Sequence, residues 1–261
     1  MNLDFIAYPM GWLMRFIYNI VAPIDTKYLS AYAVSIILAT IVVKLLMLPL
    51  TLKQTKSMKA MQDMAPRIKE LQDKYGKDPQ TLQRKQMELY KEANYNPMSG
   101  CLPMLIQLPL IMAFFYVIRN PLVYVFSGNE ALFSEMGKSF LWINDLSFNA
   151  SHVFENGVIN GFDMGFSIPF IGRALPILAA ISAYTTYLTS KMTSSNQAAA
   201  MSEQQKSTQN MMTMMMPIMI FVMSLSFPSG LVLYWVVGNI FQLVQQWIIL
   251  NSSKKVKEDN K

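Results

Sequence analysis

The residue best placed to do chemistry in this chain is a lysine inside an apolar run. Lys44 lies in the stretch Ala31 to Leu50, whose middle is otherwise interrupted only by Ser35 and Thr40. An ionisable residue within a membrane span costs roughly 2.5–3.5 kcal/mol on insertion scales, so its presence marks a functional position by default. Lys44 is six residues before Leu50, about 9 Å along a helix at 1.5 Å per residue. A plain alternative is that its ammonium group reaches out to the headgroups along a four-carbon stem. Two patterns weigh against that. Thr40 and Thr51 share the Lys44 face at i−4 and i+7, and other apolar runs carry polar stripes of their own. Ser182, Thr185 and Thr189 follow at offsets of 3 and 7; Trp235, Asn239, Gln242 and Gln246 follow at 4, 7 and 11. Gln107 is the one strongly polar residue of a further run, Cys101 to Ile118. A single stripe of this kind usually reflects hydrogen bonds between packed helices. Three stripes, one with a cation, are read here as the walls of a hydrated cavity within the membrane that attracts anionic groups.

Other chemistries have little material. Cys101 and His152 are the only residues of their types, which leaves no disulfide framework, multi-Cys metal site or Ser/His triad. Met211, Met212, Met214, Met215 and Met216 could ligate Cu(I). Without Cys or His nearby they read better as an adaptable apolar face toward varied hydrophobic partners. No metal and no cofactor is expected.

The elements that position these residues follow from composition. Hydrophobic types form 52% of the 261 residues and charged types 15%, with mean hydropathy +0.26. A soluble domain carries roughly 25% charged residues. A span needs about 20 mostly apolar residues, and five segments qualify: 31–50, 101–118, 167–188, 211–227 and 231–250. The segment 1–29 contains Pro9, Gly11, Arg15, Asn19 and Pro23. Its polar residues Asp4, Tyr8, Gly11, Arg15 and Asn19 make one stripe beside Trp12, Phe16 and Ile17, as in a helix lying in the membrane interface. It lacks the basic start and small-residue cleavage site of a signal peptide. The expected fold is therefore an all-α integral membrane protein with a five-span core over 30–250.

Lys and Arg set the orientation. Of the 22, sixteen lie in 51–100, 189–210 and 251–261, whereas 1–30, 120–166 and 228–230 hold three. This puts the N-terminus outside and the C-terminus in the cytoplasm. The formal charge of +6 thus belongs mainly to cytoplasmic segments. Residues 51–96, broken at Pro66 and again at Gly76 and Pro79, read as a cytoplasmic helical hairpin with narrow apolar stripes. Lys53, Lys56, Lys59, Arg67, Arg84 and Lys85 are its candidate contacts for a client chain, a ribosome or anionic lipids. Its ten basic residues are interleaved with six acidic ones, so no specific nucleic-acid surface is indicated. The segment 251–261 reads as a basic cytoplasmic tail.

Two stretches carry a family resemblance. Residues 96–109, Asn-Pro-Met-Ser-Gly-Cys-Leu-Pro-Met-Leu-Ile-Gln-Leu-Pro, resemble the signature entering the second conserved span of the YidC/Oxa/Alb membrane protein insertases. Phe227-Pro228-Ser229-Gly230-Leu231-Val232-Leu233-Tyr234-Trp235, with Asn239 and Gln245-Gln246, resembles that family's last span, and Phe140-Leu141-Trp142 also fits. The similarity covers about 30–120 and 165–250 and is to the Gram-positive type without the large external domain. It implies five spans, a cytoplasmic hairpin, an in-plane N-terminal helix, and a hydrophilic groove open to cytoplasm and lipid but closed outward. Lys44, five before Pro49, then occupies the place where bacterial members usually show Arg, and Thr185 that of a groove residue often Gln. Lys lacks the bidentate fork of Arg. No lipobox Cys is present for an N-terminal lipid anchor.

The function expected is a non-enzymatic insertase and chaperone of the bacterial cell membrane, with nascent membrane proteins as clients and the ribosome and a Sec translocon as candidate partners. Stripping water from a client's polar external segment is costly, and a groove reaching partway through the bilayer shortens that crossing. Two rivals stand beside this. A transporter or channel would need an outward opening, which the acidic external loop 120–166 disfavours for anions. A structural assembly factor would depend more on 211–227 than on the polar stripes.

Overall fold

The computed structural model describes residues 4–93, 95, 102–197 and 203–258. Its helices are α1 (Asp4–Val21), α2 (Ala31–Leu46), α3 (Leu48–Asp63), α4 (Ala65–Tyr75), α5 (Pro79–Glu92), α6 (Leu102–Arg119), α7 (Pro121–Tyr124), α8 (Glu130–Glu135), α9 (Ile177–Gln197), α10 (Glu203–Ser226) and α11 (Ser229–Glu258). Two short strands, β1 (Asp163–Ile168) and β2 (Gly172–Ala174), pair antiparallel. Helix α11 is the hub, packing on α9, α2 and α6, while α10 packs on α9.

The α2–α3 junction follows from one proline. Pro49 has no N–H and its ring opposes the carbonyl four residues back, so a straight helix cannot pass. The chain breaks at Met47, and the axes of Ala31–Leu46 and Leu48–Thr55 differ by 55°. The expected span 31–50 is thus a helix with a bend near its end, just beyond Lys44. At the other end, Ser30 caps α2: its Oγ accepts from the Ala33 N–H at 3.1 Å and donates to the Ser139 carbonyl at 2.7 Å.

The segment 167–188 differs most from expectation. It is not one helix, because residues 163–174 form the β1–β2 hairpin and α9 starts only at Ile177. Gly165 and Gly172 take positive φ (76° and 89°), and Pro169 and Pro176 interrupt helix formation, so apolar content alone overstated the span. The all-α description therefore has this one small β exception. The ends of the last two spans also move: α10 begins at Glu203, and α11 runs on to Glu258, so the basic tail begins as helix.

Among the described residues, Ser207–Ser226 and Ser229–Ile249 are each long and apolar enough to cross a membrane, and the bent α2–α3 pair makes a third. Ile106–Arg119 is apolar but shorter.

Helix α1 buries Ala7, Met10, Met14, Ile17 and Val21 against the core and exposes Phe5, Trp12, Phe16 and Ile20. Its polar stripe does not simply face the surroundings. Tyr124 donates to Asp4 at 2.9 Å, Arg15 donates to Ser127 at 3.3 Å, and Gly11 abuts the Tyr124 carbonyl, where a Cβ would sit 2.1 Å away. The glycine in that stripe is a contact of backbone on backbone.

Helices α4 and α5, joined around Gly76, share a small core of Met64, Ala65, Ile68 and Leu89, with Tyr90 and Tyr95 beside it. Asp78 caps α5 by accepting from the Thr81 N–H at 3.2 Å.

Candidate functional site

The core around α2, α6 and α11 is buried at one end and flanked by exposed apolar side chains toward the other. Ala31–Ala33, Ser35, Ile36, Ala39 and Thr40 of α2 are buried, as are Ala113, Phe114, Val117 and Ile118 of α6 and Leu231–Tyr234 of α11. Residues 140–160 close this end. Leu146 is fully buried, its carbonyl accepts from the Gly230 N–H at 2.8 Å, and a Cβ on Gly230 would meet Ile118, Ile36 and the Leu146 oxygen at 3.0–3.1 Å. Toward the α3 end Leu45, Leu46, Leu108, Ile240, Val244 and Trp247 are exposed.

Lys44 sits where the packing changes. It is half-buried, and its Nζ donates to Gln107 Oε1 at 3.3 Å. Gln107 Nε2 in turn donates to the buried Tyr234 hydroxyl at 2.7 Å, and the Tyr234 ring stacks on Phe114 at 4.1 Å. Gly238 gives the lysine room, since a Cβ there would lie 3.2 Å from Lys44 Cε. Among the described residues no carboxylate pairs with Lys44. The site thus offers a cation with one neutral partner and no counter-charge.

The polar stripes of α9 and α11 meet each other elsewhere. Asn239 Nδ2 donates to Thr186 Oγ1 at 2.8 Å and to Thr185 Oγ1 at 3.2 Å, and Trp235 Nε1 donates to Thr186 Oγ1 at 3.2 Å. Gln246 Nε2 donates to Thr193 Oγ1 at 3.3 Å, and Ser182 shares a hydrogen bond with Ser224 of α10 at 3.0 Å. Ser182, Thr185, Thr186 and Thr189 are buried, and Thr189 donates to the Thr185 and Thr186 carbonyls.

Eight of the ten residues expected to share one wall therefore fall into two groups, Lys44 with Gln107, and Ser182, Thr185, Thr189, Trp235, Asn239 and Gln246. Successive residues of a helix point about 100° apart, so Tyr234 and Gly238 face α6 and α2 while Trp235 and Asn239 face α9. Thr40 belongs to neither group, being buried with its Oγ1 donating to the Ile36 carbonyl at 2.6 Å. Gln242 is half-buried on α11.

Sequence reasoning passed over Tyr234, Thr186 and Thr193. The last two lie on the stripe Ser182, Thr186, Thr189 and Thr193, at helical offsets of 4, 7 and 11. Also missed was the tie between Gln245 Nε2 and Thr51 Oγ1 at 2.8 Å, which fixes the start of α3 to α11.

A family model described as 60Kd inner membrane protein matches residues 24–258. The chain belongs to this family. It is 41% identical over 250 residues to the membrane protein insertase YidC of Clostridium perfringens, covering 94% of this chain and 91% of the relative. It is 35% identical to membrane protein insertase YidC 1 of Listeria monocytogenes, over 97% of this chain and 74% of the relative. The corresponding protein of Alkalihalophilus pseudofirmus is 34% identical over 98% of this chain and 84% of its own length. With its apolar helices, this member of the 60Kd inner membrane protein family is a multi-pass membrane protein.

Of the two signature stretches, 102–109 lie on α6 and 229–246 on α11, the helices that carry Gln107, Tyr234 and Asn239, with Phe227 and Pro228 in the turn before α11; residues 96–101 fall outside the described ones. Of the expected contact residues, Lys53, Arg67 and Arg84 are exposed on α3 to α5, and Lys85 is half-buried on α5. Lys85 pairs with Glu88 at 2.7 Å, which holds the Glu88 carboxyl below the usual carboxylate range. The side chains of Lys56 and Lys59 are outside the described ones.

Proposed function

We propose that this chain is a membrane protein insertase. It accepts hydrophobic clients from the cytoplasm, draws their short external segments partway into the bilayer, and releases their helices sideways into lipid. The observation that carries this is the change in burial at Lys44: a closed half on the Ala31–Thr40 side, a half with exposed apolar side chains toward α3, and an uncompensated cation between them. That geometry supports a cleft with one open end.

In this reading α2 with the start of α3, α6, α9, α10 and α11 are the five spans. The N-terminus is outside and the C-terminus in the cytoplasm, a reading supported by the distribution of Lys and Arg. The protein resides in the bacterial cell membrane, with α1 in the outer interface. Helices α4 and α5 form the cytoplasmic hairpin that receives clients, and the basic residues of α3 to α5 meet the ribosome and anionic headgroups. A Sec translocon is a candidate partner for longer clients. Lys44 attracts the acidic residues of a client's external segment, and Gln107 holds the ammonium in position. The α9–α11 hydrogen bonds keep the far wall rigid. No step makes or breaks a covalent bond, so the protein is not read as an enzyme.

The test is reconstitution of the full chain into liposomes with a single-span client synthesised by ribosomes. Protease protection of the client above that in protein-free liposomes is expected. Equal protection with and without the protein overturns the reading. Anion flux across the same liposomes would instead support the channel.

A further inference from the structure

The β1–β2 hairpin and the residue before it display largely exposed aromatic side chains. Phe162, Phe166 and Phe170 are 59%, 61% and 100% exposed. Phe170 also holds φ at +67°, a left-handed conformation in which a bulky residue is uncommon. Backbone of this kind persists where the surroundings impose it, and it gathers at functional sites.

The hairpin is firmly held while it displays these rings. The Leu175 N–H donates to the Phe162 carbonyl at 2.8 Å and closes the base. Ser151 donates to the Ile171 carbonyl at 3.0 Å and holds the tip, and a Cβ on Gly172 would lie 2.7 Å from the same Ser151 oxygen. Asp163 and Arg173 neutralise each other at 2.8 Å. Between them, residues 164–172 carry no charged side chain at all. A fixed, uncharged, aromatic tip is made to leave water.

We infer that the tip Phe166–Ile171 inserts into the headgroup boundary of the outer leaflet of the protein's own bilayer, anchoring the start of α9. This rests on the proposed topology, which puts residues 120–166 outside. Only Leu175 and Pro176 separate the hairpin from α9, whose Leu178 and Ala179 are already buried in the bundle, so the tip is tethered to the helix end that lies at the outer surface. Aromatic rings are the side chains best accommodated at that depth. The tip then fixes the depth of α9, which carries the Thr185–Thr186 side of the α11 contact.

The test uses the full chain with Cys101→Ser and Phe170→Cys, labelled with an environment-sensitive fluorophore in phosphatidylethanolamine–phosphatidylglycerol vesicles. The expected result is blue-shifted emission, quenching by lipids bearing a nitroxide just below the glycerol, and loss of quenching by aqueous iodide. Full quenching by iodide with none by the lipid nitroxide overturns the inference. So does a blue shift that appears only at high protein density, because the occupant is then a second copy. A parallel Ser134→Cys label on the exposed side of α8 checks the topology with an impermeant reagent added outside. If Ser134→Cys is unreactive from outside, the topology fails. If it reacts and the tip remains in water, only the anchoring inference fails.

Discussion

Two buried tyrosines make opposite predictions from the same substitution. Tyr234 accepts a 2.7 Å hydrogen bond from Gln107, whereas the Tyr32 hydroxyl is buried with no hydrogen-bond partner among the described residues. Changing either to Phe keeps the ring, so packing such as the Tyr234–Phe114 stack survives. Removing one partner of a typical hydrogen bond costs about 1 kcal/mol net, and more when the group left behind is buried. Within membranes, double-mutant cycles average about 0.6 kcal/mol. Gln107 is only half-buried and can turn to another partner, so Tyr234→Phe should cost about 1 kcal/mol, or roughly 2–4 °C in Tm for a chain of this size. Tyr32→Phe removes a polar atom that has been desolvated without a compensating bond, so it should be neutral or stabilising. The assay is thermal unfolding of the full chain in lipid nanodiscs, followed by a cycle with Gln107→Leu. Coupling of about 0.6 kcal/mol between Tyr234→Phe and Gln107→Leu is expected. No coupling, or equal losses at both tyrosines, refutes the positioning of Gln107 and with it the support given to Lys44.

Gly11→Val forces a side chain into the Tyr124 carbonyl, and overpacking of this kind should cost about 1–3 kcal/mol and release α1, read as faster amide exchange in Asp4–Val21. Asn160 is fully buried and bonds the backbone of Asp145, Phe148 and Asn149, with its Nδ2 donating to the three carbonyls and its Oδ1 accepting from the Asp145 N–H at 2.6 Å. Asn160→Ala should therefore lower stability by about 3 kcal/mol in the nanodisc melt and loosen the cap over Gly230. The Asp78 carboxyl is held below its ordinary pKa, chiefly by its side-chain hydrogen bond with Thr81. A depressed folded-state pKa gives stability that is present above the unfolded value and lost as pH falls through the folded one. Protection of the Pro79–Glu92 amides, read as exchange relative to the unstructured rate at each pH, should accordingly fall below about pH 4, and Asp78→Asn, which keeps a capping side chain, should reduce that fall, the remainder belonging to Glu88.

The fold was largely legible because a bilayer imposes length and apolarity on whatever crosses it, and four of the five apolar runs coincide with helices. The fifth misled because Phe166, Ile168, Phe170 and Ile171 are as apolar as span residues, and only Gly165, Pro169, Gly172 and Pro176 revealed the hairpin. Lys44 and Gln107 were each singled out from the sequence, and the structure brings them together. Their link to Tyr234 was hidden, since a tyrosine among apolar neighbours reads as core. The assumption that all polar stripes share one wall failed for a geometric reason. A central helix presents several faces, and α11 uses one for α2 and α6 and another for α9. The hydrogen bonds at Thr185, Thr186 and Asn239 are those of packed helices, and among the described residues of the proposed cleft the charge is that of Lys44.

That makes Lys44 the place to measure. Insertion rates of two single-span clients, identical except for an acidic or an uncharged external tail, should be compared for the wild-type chain, Lys44→Arg and Lys44→Ala in the same liposomes. The account predicts that Lys44→Ala slows the acidic-tailed client about tenfold, equivalent to roughly 1.4 kcal/mol, while the uncharged client is little affected and Lys44→Arg retains most of the rate. Equal insertion of the acidic-tailed client by Lys44→Ala and the wild-type chain would contradict it.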